Sequence, residues 1–195
     1  MTAFARATDA VAASCAFCAS TVVLATLSAA ALSACAIAMT TLSRIAEELV
    51  LWSTSEFRFV RMGEAYTTGS SIMPQKRNPD AAELVRGKAG TVIGALQALM
   101  VTVKGLPLAY NRDLQEDRYS LFDGLETTSA CARITAGMFR TLTVHRDRYE
   151  RELTGDFLLA TELADHLTAN GVPFRDAHHV SGRIVGHLEA RGEHF

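Results

Sequence analysis

The sequence predicts an all-α fold, and three features carry that expectation. Apolar residues recur at helical spacing over long stretches, as at Leu42, Ile45, Ala46, Leu49 and Val50. Glycine and proline punctuate the chain between such stretches, at Gly69, Pro74 and Pro79, at Gly105 and Pro107, and at Gly171 and Pro173. No run of alternating apolar and polar residues marks a strand, and no internal repeat is present.

The first element is compositionally unusual. After Asp9 no charged residue occurs until Arg44, and alanine, serine, threonine and cysteine dominate. The run is long enough for a membrane helix or a signal sequence. Serine and threonine recur throughout it, however, and its basic flank is Arg6 alone, offset by Asp9. A helix buried all round inside an oligomer fits better, and a membrane role is not expected. From Leu42 the helical pattern is plain, with Glu47 and Glu48 on another face, and it ends near Trp52. Residues 53–67 lead through Phe57, Phe59 and Tyr66 into a polar loop.

A long helix should then run from Pro79 to about Val103, with bulk from Leu84, Val92, Ile93, Leu96 and Leu99. Gly87, Gly90 and Gly94 each weaken it by about 1 kcal/mol relative to alanine. Close approach of a neighbouring helix explains them better than propensity does. Gly105 and Pro107 end this helix. After a second polar connection, residues 106–120, another helix is expected to reach Tyr149, and Gly155 breaks the chain. Two short helices follow, near 157–169 and 174–190, separated by Asn170-Gly171-Val172-Pro173. The expected organisation is an atypical segment, residues 1–31; a helical-bundle part, 32–154; and a partial small helical domain, 155–195.

Composition narrows the function classes. A chain of 195 residues can bury one sizeable core, or a core with a small appendage. The net charge of −2 gives no argument for nucleic acid or an anionic membrane surface. Cys15 and Cys18 form a lone C-x-x-C with no second pair and no nearby histidine, so they read as small buried helix residues, not zinc ligands. Cys35 and Cys131 complete a set without framework spacing, which fits a reducing compartment.

The densest chemistry lies in residues 68–80, Thr-Gly-Ser-Ser-Ile-Met-Pro-Gln-Lys-Arg-Asn-Pro-Asp. Two prolines remove backbone donors, so residues 69–78 should be neither helix nor central strand. The loop carries the hydroxyls of Ser70 and Ser71, the cations Lys76 and Arg77, and the amides Gln75 and Asn78. Asn78 reads as an N-cap and Pro79 as the first helical residue, so the loop ends on a helix N-terminus suited to an anionic ligand.

The string Gly69-Ser-Ser-Ile-Met-Pro-Gln-Lys-Arg-Asn-Pro79 resembles the signature of the fumarase/aspartase superfamily, Gly-Ser-Ser-x-Met-Pro-x-Lys-x-Asn-Pro, at every fixed position. Tyr110-Asn-Arg-Asp-Leu-Gln-Glu-Asp117 resembles the argininosuccinate lyase branch in particular. The likeness continues through residues 153–165 and 171–179. It runs from about Leu32, and firmly from Leu42, to the end.

The resemblance implies a central helical bundle and a cofactor-free elimination that releases fumarate, here from argininosuccinate to give arginine. It implies no metal. It makes Ser70 the base, with Lys76 and Asn78 holding the substrate carboxylate on which charge develops. In this branch the residues matching Tyr110 and Gln115 contact substrate. Arg118 stands where the family usually has lysine; it keeps the charge with a different reach and geometry, and is the weaker candidate. Gln75 and Arg77 receive no such role, and His178 and His179 read as structural. Four subunits form one bundle in the family, each site drawing on three, so a cytoplasmic homotetramer is expected.

The family's Thr-His motif, which serves the acid side of the reaction, has no counterpart in these residues, so the isolated chain should be inactive. Three rivals remain at this level. They are another fumarate-releasing lyase of the adenylosuccinate or aspartate type, a non-catalytic helical oligomerisation fragment, and a membrane-anchored helical protein. The stretch 110–117 argues against the first, and the missing Thr-His region favours the second for the isolated chain.

Overall fold

The computed structural model describes the backbone of all residues except 1, 74, 108–110, 155–156 and 194–195, and side chains from residue 22 on with the same exceptions and Thr154. The chain is predominantly helical. It divides into two compact units, one of residues 1–53 and 62–142, the other of residues 54–61 and 143–195.

The first unit is built from three helices, α1 (Thr2–Ser53), α2 (Asp80–Val103) and α3 (Asp117–Thr141). Residues 2–53 contain neither glycine nor proline, and alanine is the strongest helix former, so nothing interrupts α1. Its 52 residues span roughly 78 Å at 1.5 Å per residue. Serines and threonines fit such an apolar helix because their hydroxyls fold back. Thr26, Ser33 and Thr40 donate to the carbonyls four residues earlier at 2.8–2.9 Å.

A seam organises the packing. On α1 the positions Ala25, Ser28, Leu32, Cys35, Met39, Ala46 and Leu49 are buried, half-buried Leu42 fills the step between Met39 and Ala46, and buried Ala36 widens the stripe beside Cys35. Spacings of three and four therefore alternate along the helix, which is the pattern of knobs-into-holes packing. The same alternation recurs on α2 at Ala82, Val85, Ala89, Val92 and Leu99. Gly124, Cys131, Thr135 and Met138 give the facing seam on α3. Ser28 of α1 donates to Asp117 at the start of α3, and Glu47 of α1 pairs with Arg86 near the start of α2. Thus α1 and α3 run parallel and α2 antiparallel to both.

The expectation that α1 is buried all round meets a single buried seam within one chain. Val23, Leu24, Leu27 and Ile37 on its other faces are more than half exposed. Residues 22–53 of α1 and the whole of α2 are long and apolar enough to cross a membrane, yet both give their seams to this core. The side chains of Cys15 and Cys18 lie outside the described residues.

Three local expectations need correction. The glycines with close neighbours are not those of α2: a β-carbon on Gly87, Gly90 or Gly94 would meet nothing within 4 Å in this chain. On the helices the tight positions are in α3, at Gly124, where an added carbon would strike Leu32, and Gly137, where Tyr66 occupies the space. The helix expected to reach Tyr149 stops at Thr141, because Leu142 turns extended and Thr143–Val144 (β4) pairs antiparallel with Val60–Arg61 (β1). The β-branched Thr143 and Val144 favour that extended conformation. Finally, Asn78 is not the cap of α2. Pro79 holds that position, with no side-chain cap bond, and its carbonyl accepts from the N–H of Ala82 and Glu83.

In the second unit, residues 54–61 and α4 (Arg146–Thr154) are joined by β1–β4 and by Arg148. The Arg148 guanidinium donates to the carbonyls of Glu56 and Phe57 at 3.1 and 3.2 Å. Phe59 stacks on Tyr149 with ring centroids 4.6 Å apart. Helices α5 (Ala160–Ala169) and α6 (Phe174–Arg191) form a hairpin closed on Ala164, Ala177 and Ser181. Gly171 at φ 91° supplies the left-handed residue that this turn needs.

Candidate active-site loop

The polar loop is a pinched structure with two short strands at its base. Thr68–Gly69 (β2) pairs antiparallel with Arg77–Asn78 (β3), Thr68 facing Asn78 and Gly69 facing Arg77. Of the stretch 69–78, Gly69, Arg77 and Asn78 lie in these two-residue strands, the neck of the loop, and the described residues between them, 70–73 and 75–76, are in neither helix nor strand. The Thr68 hydroxyl donates to the Asp80 carboxylate at the start of α2. Arg77 pairs with Glu64 at 2.7 Å.

Ser70 is half-buried at the base of the loop, and its Oγ accepts from the N–H groups of Ile72 and Met73, both at 3.3 Å. Two backbone donors aimed at one hydroxyl oxygen would stabilise negative charge on it if its proton left. Ser71 is exposed. Lys76 is exposed, and among the described residues no ion pair engages it. Asn78 is half-buried in β3. The first turn of α2 carries Asp80 and Glu83, which suit its dipole and compete with any anion there.

The second group of sequence candidates lies elsewhere. Gln115 ends a 3-10 turn (Arg112–Gln115) and Arg118 opens α3, both exposed. Tyr110 lies outside the described residues. The loop precedes α2 and this connection follows it, so α2 separates them by roughly 36 Å at 1.5 Å per residue. Within one chain Ser70, Lys76 and Asn78 share one loop and its neck before α2, and Gln115 and Arg118 lie beyond the opposite end of α2.

A cleft of about 560 Å³ between α2 and α3, lined by Tyr66, Leu84, Lys88, Asp123, Cys131 and Ile134, contains none of these candidates. Burial pushes the Cys131 thiol above its ordinary range, with Lys88 opposing. The partners of Arg77 and Thr68 went unnoticed in the sequence; the signal available was the polar flanks, Glu64 to Thr68 and Arg77 to Asp80, on both sides of the loop.

Comparison with known proteins gives this geometry a family. A family profile described as "Lyase" matches residues 16–94, and one described as "Argininosuccinate lyase C-terminal" matches residues 157–195. The argininosuccinate lyase of Bacillus thuringiensis (strain Al Hakam) is 52% identical over 161 residues, covering 83% of this chain and 35% of that protein. The chain belongs to the argininosuccinate lyase family. Argininosuccinate lyase 2 of Shouchella clausii (strain KSM-K16) is 54% identical over 154 residues, covering 79% of this chain and 33% of that one.

The chain thus spans about a third of the length of the curated family members it matches. The match to the first profile reaches back to residue 16, further toward the N-terminus than the residues that carry the resemblance in the sequence. Among solved structures, an EDDS lyase in complex with formate aligns with a TM-score of 0.68 at 26% identity, over 84% of this chain and 32% of that one. A class II fumarase from Schistosoma mansoni aligns with a TM-score of 0.69 at 20% identity, over 83% and 33%, and shares the fold.

Proposed function

We propose that this chain supplies the signature-loop part of an argininosuccinate lyase active site. The reaction is a β-elimination. Ser70 takes a proton from the carbon beside a substrate carboxylate, and the electron pair is held as a carbanion-like dianion by Lys76 and Asn78. That pair then forms the double bond of fumarate as the carbon–nitrogen bond breaks and arginine leaves with the electrons of that bond, gaining a proton from the acid side of the site.

The observation that carries the reading is the Ser70 oxygen held by two backbone N–H groups at the base of an exposed loop. A serine hydroxyl is a poor base until its alkoxide is stabilised, and these donors stabilise it. Lys76, one residue outside the neck, adds positive charge. No metal or organic cofactor enters this mechanism.

Gln115, Arg118 and Tyr110 are proposed to contact substrate, but from other subunits. The roughly 36 Å between the two groups exceeds any small substrate, so one chain cannot complete the site by itself. A homotetramer joining loop and connection from different copies satisfies the geometry, and it covers exposed Leu24, Leu84, Val101 and Phe122. Arginine biosynthesis in the cytoplasm is the corresponding cellular role.

The test is fumarate formation, read by ultraviolet absorbance. The 195-residue chain alone should release none from argininosuccinate. Mixed with, or fused to, the N-terminal part of a family member, it should turn over. Saturable turnover by the isolated chain, lost in Ser70→Ala, would mean that copies of these residues suffice without the Thr-His motif, and would overturn the expected inactivity. No turnover after restoration of a folded assembly would favour a non-catalytic helical module.

A further inference from the structure

The neck of the loop has a register, and the register places the two residues proposed to do the chemistry. Thr68 faces Asn78 and Gly69 faces Arg77. Continued by one residue beyond the ladder, that register would set Ser70 across from Lys76. Two-residue strands have little intrinsic stability, and slippage by one residue would turn every side chain of the neck to the opposite face. Something besides the ladder must hold it.

Two side-chain contacts tie the neck to the bundle. Thr68 on β2 bonds Asp80, the first residue of α2. Arg77 on β3 pairs with Glu64 at 2.7 Å. Glu64 is itself anchored, for it opens a short 3-10 turn (Glu64–Tyr66) whose Tyr66 fills the space over Gly137 of α3. Gly63, just before it, packs so closely on Thr141 that a side chain there would collide with it. One strand of the neck is thereby fixed to α2 and the other to the end of α3.

We propose that Glu64 and Arg77 are a positioning pair that locks the register of the loop neck and so sets Ser70 opposite Lys76. The proposal rests on the catalytic reading of those two residues for its functional meaning, and on the neck geometry for its physical content. The neck is then the fixed base of the loop. Arg77 is 44% and Glu64 72% exposed, so the pair adds little to global stability and acts locally.

Hydrogen exchange on the isolated chain tests the clamp without requiring activity. In Arg77→Gln and Glu64→Gln, amides of residues 68, 69, 77 and 78 should exchange about 2–5-fold faster, the range of an exposed ion pair. Seam amides of α2, from Val85 to Val92, should be unchanged, which shows that the variants fold. The charge swap Glu64→Arg with Arg77→Glu should restore slow exchange. Unchanged neck exchange in both single variants, a speed-up the swap does not reverse, or an equal speed-up in α2 would each overturn the clamp.

Kinetics in a completed enzyme test the positioning. Arg77→Gln should lower kcat several-fold with KM near the parent value, and the swap should recover kcat. If the neck loosens while kcat holds, in an enzyme that Ser70→Ala inactivates, positioning is refuted. If Ser70→Ala is harmless, the catalytic reading fails, and the exchange result still decides the clamp.

Discussion

Gly124 and Gly90 sit on adjacent helices, yet alanine at the two positions should shift stability in opposite directions. In a helix interior, alanine is favoured over glycine by about 1 kcal/mol. At Gly90 an added methyl meets nothing within 4 Å, so that preference should be realised, raising stability by roughly 0.5–1 kcal/mol. At Gly124 the methyl would strike Cδ2 of Leu32 and lie 3.9 Å from Val92. Leu32 is fully buried and has little space to yield. Overpacking of this kind costs about 1–3 kcal/mol. Set against the helix preference, Gly124→Ala should destabilise by about 0–2 kcal/mol.

Urea unfolding followed by circular dichroism separates the two variants. A double variant with Leu32→Ala should lose less than the sum of the single changes, because the new methyl partly fills the cavity left by leucine. If Gly124→Ala raised the unfolding midpoint as much as Gly90→Ala, the α1–α3 crossing described here would be wrong. If Gly90→Ala were destabilising only at protein concentrations where copies associate, the neighbouring helix expected at the α2 glycines would belong to another chain.

Two further outcomes follow from single side chains. The Cys131 thiol titrates above its ordinary value of about 8.5, because burial disfavours the thiolate, so its contribution is fully present below that value and is lost as pH rises through the folded one. Unfolding free energy should therefore decline above about pH 8.5 in the parent, and less in Cys131→Ala; equal slopes would contradict it. Arg148→Ala removes the donors that hold the carbonyls of Glu56 and Phe57, and should destabilise the second unit by about 1–2 kcal/mol. Limited proteolysis should then cut within residues 54–61 sooner, with slow-exchanging amides of α1 to α3 unaffected.

Several of these features were visible in the sequence for identifiable reasons. Leu42, Ile45, Ala46 and Leu49 alternate with charge, so their seam is readable from spacing alone. Upstream of Leu42 the small residues on every face are nearly alike, and periodicity cannot say which side is buried. The contrast between Ala25 at 1% exposure and Leu24 at 61% arises from packing against α2 and α3. The loop's irregular backbone was legible, because proline and glycine exclude helix, and its motif resembles a known signature. Its neck was not legible: the Gly69–Arg77 and Thr68–Asn78 pairs are only two residues long, too short for alternation to show. The separation of Ser70 from Gln115 was open to arithmetic, since a helix of 24 residues lies between them. The end of α3 was hidden because Leu142 continues the apolar pattern into an extended turn.

The central claim is that Ser70, held by the N–H groups of Ile72 and Met73, is the base. Steady-state kinetics of Ser70→Ala and Ser71→Ala in a completed enzyme, with circular dichroism to confirm folding, test it most directly. Ser70→Ala should lower kcat by orders of magnitude and leave KM nearly unchanged, because the hydroxyl acts only as the proton moves. Ser71→Ala, removing an exposed hydroxyl, should cost far less. Loss of turnover in Ser71→Ala with activity retained in Ser70→Ala would contradict the assignment, and full activity in both would remove the loop from the chemistry altogether.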